Sequence, residues 1–116
     1  VGCSANVDFT VTGGVNAVSV TPSQEIDPTC FALPGGQTIT VSWDNAPPTL
    51  QEVTFYRLNT SLPRADVIGV DSDPSDGFSI SWRVFDQMPP SVLFARGNGT
   101  AQGSELESDY IGIYVE

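Results

Sequence analysis

The sequence predicts an all-β domain, an antiparallel β-sandwich of about seven to eight short strands. Three observations carry that expectation. Apolar and polar residues alternate with period two in several short runs, the sign of strands that bury one face. Between Val53 and Trp82 three such runs follow one another with turn residues between them and no helical pattern. Turn signals recur every ten residues or so, and the nine prolines all fall at strand boundaries, where a missing N–H harms no ladder. The 116 residues suit one domain, 1–116, and a chain of this size buries roughly two-thirds of its unfolded surface.

The elements follow in order. Val7, Phe9 and Val11 share one face of a first strand, and Gly13-Gly14 breaks it. Val18 and Val20 make a second short piece, ended by Thr21-Pro22. Residues 22–36 read as loop, with three prolines and the Gly35-Gly36 pair. Gln37 to Trp43 is the cleanest strand, with Ile39, Val41 and Trp43 inward and Thr38, Thr40 and Ser42 outward. Asp44-Asn45 and Pro47-Pro48 end it. Val53 and Phe55 point inward and Thr54 and Tyr56 outward; residues 59–65 turn. Val67 to Val70 is a short strand, and Asp71 to Gly77 an acidic turn. Phe78, Ile80 and Trp82 alternate with Ser79, Ser81 and Arg83. Met88-Pro89-Pro90 is a corner. Ser91 to Arg96 is a strand whose pattern does not reveal its buried face. Residues 97–108 read as polar loop. Ile111, Ile113 and Val115 close the chain, alternating with Tyr110, Gly112 and Tyr114. Short strands at this spacing are the pattern of an immunoglobulin-like sandwich.

Charge narrows the function. Fourteen acids against four arginines, with no lysine or histidine, give −10. Such a surface repels nucleic acid and anionic lipid and favours cationic partners or divalent metal; it also suits a soluble chain in a salty or extracellular medium. The missing histidines remove the commonest general base and transition-metal ligand. No run of 18 apolar residues exists to span a membrane. The two cysteines admit two readings. A Cys3–Cys30 disulfide would close a loop of about 28 residues and stabilise by about 3 kcal/mol. Alternatively Val1-Gly2-Cys3-Ser4 is the end of a lipoprotein signal, with Cys3 acylated and Cys30 a free thiol. The disulfide is favoured, and both readings place the protein outside the cytoplasm, at the cell surface or secreted. With no signal peptide present, the chain reads as mature or as an excised domain.

Residues 36–116 resemble the bacterial immunoglobulin-like domains of secreted enzymes and surface proteins. The resemblance rests on Gly36-Gln-Thr-Ile-Thr-Val-Ser42, Val53-Thr-Phe-Tyr56, Val67-Ile-Gly-Val-Asp71 and Gly77-Phe-Ser-Ile-Ser-Trp82, in that order, with a longer turn at 57–66. It covers about two-thirds of the chain. The first 35 residues, with Cys3 and Cys30, depart from it. It implies a non-catalytic module and carries over no catalytic residue.

Two constellations are candidate sites. Tyr56, Tyr110 and Tyr114 fall on outward positions of strands expected in one sheet, flanking the 91–96 strand; exposed, they would stack on a glycan or anchor a protein partner. The ordinary alternative is the β-propensity of tyrosine. Asp71, Asp73 and Asp76 lie in one turn, at the end of the sandwich that also receives the loops bearing Asp44, Asn45, Glu105 and Glu107. With Glu105 they form a possible composite calcium site; otherwise they are turn residues. No other cofactor is expected. No serine or threonine has a histidine or lysine to activate it, and the acids sit in exposed turns, so the chain is expected not to be an enzyme. Asn59-Thr60-Ser61 and Asn98-Gly99-Thr100 fit the glycosylation pattern. The expected role is a structural, spacer or adhesive module with a protein or glycan partner. The rivals are a carbohydrate-binding module on the tyrosines, a calcium-stabilised adhesion domain, and an inhibitor acting through the loops.

Overall fold

The computed structural model describes residues 18–27, 30–43, 46, 50–59, 64–73, 77–87, 91–99, 105–108 and 110–115. The expected strand at 3–12, Cys3, Asp44-Asn45, Pro47-Pro48, Asp76 and Met88-Pro89-Pro90 lie outside them. The described residues form ten strands and no helix: β1 (Ser19–Thr21), β2 (Gln24–Asp27), β3 (Cys30–Leu33), β4 (Thr38–Trp43), β5 (Leu50–Asn59), β6 (Arg64–Asp71), β7 (Phe78–Arg83), β8 (Ser91–Gly99), β9 (Glu105–Glu107) and β10 (Ile111–Val115). They pack as a β-sandwich. One sheet has the order β1-β4-β7; the other, seven-stranded, runs β2-β3-β10-β8-β5-β6 with β9 beside β8. In immunoglobulin lettering, β1, β4 and β7 stand as A, B and E, and β10, β8, β5 and β6 as G, F, C and C′.

The alternation in the sequence is the cause of this packing. Ile39, Val41 and Trp43 of β4 and Phe78 and Trp82 of β7 are buried, and Val18 and Val20 extend that layer. Val53 and Phe55 of β5, Leu93 and Ala95 of β8, and Ile111 and Ile113 face them from the other sheet. The register Trp43↔Phe78, Val41↔Ile80 and Ile39↔Trp82 keeps both tryptophans inside. The chain changes sheets between β1 and β2, at the cis Thr21–Pro22 bond.

Several expectations are corrected. Residues 22–36 hold two strands, not only loop. β3 pairs parallel with β10, so the sandwich is mixed and not purely antiparallel, and β2 pairs with β3 across a bulge. Cys30, Ala32 and Leu33 are all buried, so β3 shows no period-two signal. The 97–108 segment also holds strand. β8 runs on to Gly99, and β9 pairs Arg96↔Glu107 and Asn98↔Glu105. The expected 59–65 turn is shorter, because β5 reaches Asn59 and β6 starts at Arg64. β8 buries both faces: Val92, Leu93, Phe94 and Ala95 are each at most 4% exposed. A strand covered on both sides has no polar face to alternate.

Two glycines set close approaches. Gly36, at φ +74°, turns the chain into β4, and a Cβ there would meet Asp86 Oδ1. The turn is pinned by Gly36 N–H donating to Val84 O (3.0 Å) and Val84 N–H to Gln37 O (2.9 Å). At Gly69 a Cβ would come within 2.6 Å of Ile80 Cδ1, so the missing side chain lets β6 close over β7.

Candidate functional site

The outer face of the seven-stranded sheet carries the densest cluster of side chains with recognition chemistry. Its geometry follows from register. Tyr56 on β5 pairs with Phe94 on β8, and Ile111↔Leu93 on β10 sets Tyr110 abreast of Phe94. The three rings therefore stand in one row across three strands, whose spacing of about 4.8 Å suits ring stacking. Tyr56 and Phe94 stack at 5.1 Å and 15°, and Phe94 and Tyr110 at 4.6 Å and 12°. Val67 continues the row onto β6, 58% exposed.

A polar clamp borders the row. Arg96 lies 5.5 Å from the Tyr56 ring centroid and 5.7 Å from that of Phe94. Its Nε and Nη2 donate to Glu107 Oε2 at 3.3 and 2.8 Å. Tyr110 Oη donates to Glu107 Oε1 at 2.6 Å. Burial raises the Glu107 pKa, but the bonds from Tyr110 and Arg96 and the arginine charge outweigh it, so the carboxyl lies below its usual range. Burial, together with the bond and charge of Glu107, pushes the Tyr110 phenol up to about 12. Arg96 at this site is a neutralised cation, and Tyr110 a fixed hydrogen-bond donor.

Of the three expected tyrosines, the structure unites Tyr56 and Tyr110, on β5 and just before β10, either side of β8. Tyr114 is a correction. Its position is outward by parity, but it is 8% exposed and clusters with Cys30 and Ala32. The reason is β3, which pairs Ala32 beside Tyr114 where a loop was expected. Phe94, Arg96 and the pairing role of Glu107 were not foreseen. Phe94 sits in a strand with no alternation, and the Arg96–Glu107 pair exists only because β9 docks on β8.

The stacked geometry limits what the row can bind. Phe94 is stacked on both faces, Tyr56 and Tyr110 on the face turned to Phe94, and Arg96 lies near the Tyr56 and Phe94 rings. The row is a self-packed ladder of the cross-strand kind, which leaves at most the outer faces of its two end rings for a ligand.

The acidic end is more dispersed. Asp71 Oδ1 accepts from Asp73 N–H and Oδ2 from Ser79 N–H, both at 2.9 Å, so its carboxylate braces the turn into β7. Asp71 and Glu105 stand on β6 and β9, with β5 and β8 between them, roughly 14 Å apart across the sheet. Calcium holds its oxygens at about 2.3–2.6 Å. No cluster of three metal-ligating residues occurs among the described residues.

At the opposite pole, Arg57 is 7% exposed. Its Nε donates to Ser91 Oγ at 3.2 Å, Asp66 Oδ2 lies 3.8 Å from Nη1, and the Phe85 ring covers the guanidinium at 5.4 Å. Desolvation lowers its pKa against the opposing pull of Asp66. This arrangement plugs the end of the core. Cys30 is 4% exposed, and no cysteine among the described residues is a free thiol. No described helix is long and apolar enough to cross a membrane.

No protein-family model matches the chain, and no curated protein is significantly similar to it.

Proposed function

We propose that the protein is a non-catalytic, extracellular or cell-surface immunoglobulin-like module with a structural, spacer or adhesive role, whose contact surface is the outer face around Tyr56. The observation that carries this reading is the self-packed Tyr56–Phe94–Tyr110 row. It favours a protein contact over sugar stacking, since most of the ring surface is spent within the row and protein interfaces use tyrosine and arginine as rigid anchors. The acid-rich, lysine-free composition and the resemblance to bacterial immunoglobulin-like domains support the extracellular setting. A Cys3–Cys30 disulfide belongs to the same proposal, in place of an acylated Cys3.

The test is biosensor binding of the intact chain to surface and secreted proteins from its source, with soluble oligosaccharides as competitors. The reading expects a defined protein partner, lost on Tyr56→Ser with the fold intact and insensitive to the sugars. Binding that requires the glycan, or hydrolysis of chromogenic ester or glycoside substrates, would overturn it.

A further inference from the structure

The outer face of the seven-stranded sheet is exposed on one half and buried on the other. On β6, Val67 and Val70 are 58% and 51% exposed, and Tyr56 beside them is half-buried. Across the sheet, Val92 on β8 is 0% exposed, Ala32 and Cys30 on β3 are 2% and 4%, and Tyr114 on β10 is 8%. These four lie on the outer side, because their chain neighbours Leu93, Phe31, Leu33 and Ile113 pack into the core. Register sets Cys30, Gly112 and Val92 in one row and Ala32 beside Tyr114 in another. Neighbours within a sheet shield a side chain's flanks but not its outer end. All ten described strands lie in the two sheets, and the three-stranded sheet packs on the inner side. No described strand therefore covers this half of the outer face.

The sequence holds a segment suited to that face, and the Cys3–Cys30 bond proposed above would tether it there. Residues 1–17 lie outside the described residues, which begin at the buried Val18. No described cysteine is a free thiol, and Cys3 is the only other cysteine in the chain. Cys30 projects from the outer side, so a bond to it brings Cys3 onto that face, Cα to Cα within about 7 Å. In an extended segment Cys3 shares its side with Ala5, Val7, Phe9 and Val11, while Ser4, Asn6, Asp8 and Thr10 take the other. The side bonded to the sheet is therefore the apolar side. From Cys3 to Val11 such a segment reaches about 26 Å, whereas β3 to β8 is about 10 Å. Gly112, at the centre of the row between Cys30 and Val92, has no side chain and leaves room for a crossing chain.

We infer that residues 4–12 are a strap: anchored by the Cys3–Cys30 bond, they cross β3, β10 and β8 on the outer side, with Val7, Phe9 and Val11 turned down onto Ala32, Val92 and Tyr114. The contact surface around Tyr56 is then the half of the face that the strap leaves free. The inference rests on the disulfide of the reading above and not on a partner at Tyr56. It is tested in the intact chain, once alkylation with and without reductant has established the bond. The oxidised chain is expected to show nuclear Overhauser contacts from Val7, Phe9 or Val11 to Val92, Gly112 or Tyr114. Tetranitromethane is expected to nitrate Tyr56 and to spare Tyr114. Phe9→Ser loosens the strap and is expected to speed nitration of Tyr114 about tenfold. Asp8→Ser, on the opposite side of the segment, leaves that rate unchanged. The contacts of the unaltered chain decide the matter even where Phe9→Ser fails to fold. A bonded chain without those contacts, or Tyr114 nitrated no faster in a Phe9→Ser variant that melts normally, would overturn the strap alone. Two free thiols would overturn the strap together with the disulfide and leave the Tyr56 reading standing.

Discussion

Tyr110 joins the aromatic row to the polar clamp. Its ring stacks on Phe94 and its hydroxyl donates to Glu107, which also receives Arg96. Tyr110→Phe keeps the stack and removes the bond, with an expected loss of about 0.5–1.5 kcal/mol in urea unfolding. The two perturbed groups also set a pH window. Glu107 has a lowered folded pKa, so its contribution is present above the unfolded value and lost as pH falls through the folded one. Tyr110 has a raised folded pKa, so its contribution is present below the unfolded value, about 10, and lost as pH rises toward about 12. Unfolding measured from acid to alkaline pH is expected to show both limbs, with the alkaline one reduced in Tyr110→Phe. At Gly36 the positive φ and the close Asp86 carboxylate act together. Gly36→Ala is expected to cost about 1–2 kcal/mol, read by thermal melting.

Among the elements, β9 is, like β1, only three residues long, and Ser108 fixes it in place. Ser108 closes it onto β8 twice: its N–H donates to Ala95 O and its Oγ accepts from Ala95 N–H, both at 2.8 Å. Ser108→Ala would leave a buried N–H without its partner, at a cost of about 1–3 kcal/mol. Hydrogen exchange should then show early opening of residues 105–108 while β4 and β7 stay protected. The elements also show what a linear pattern can reveal. β4 and β7 were legible because each has one wet face, so Ile39, Val41, Trp43, Phe78 and Trp82 announce the core by alternation. β8 was legible as a strand but not in its sides, because both are covered, and so Phe94 passed unnoticed. β2, β3 and β9 are three or four residues each, too short for a period; β2 and β9 are held by the neighbouring β3 and β8, and β3 also by β10, which is distant in sequence. Tyr56 was legible as outward; the burial of Tyr114 was not, because it depends on β3. The position of Arg96 over two rings depends on register, which spacing alone does not convey.

For the whole molecule, the −10 charge and the uncharged aromatic row lead to the same functional reading. The row is a neutral island, its one arginine balanced by Glu107, on a strongly acidic chain. Such a surface repels nucleic acid while leaving one face able to dry against a protein. The proposed Cys3–Cys30 bond would add about 3 kcal/mol by shortening the unfolded chain. Intact mass with and without reductant and alkylation is expected to show two masked thiols and no acyl group. The central claim is that the rings at 56, 94 and 110 are closed on one another and serve a protein contact. The most direct measurement is an NMR titration of the intact chain with soluble oligosaccharides at millimolar concentration. The account predicts no saturable shift at Tyr56, Phe94 or Tyr110; a saturable shift at these residues, abolished by Tyr56→Ala, would contradict it.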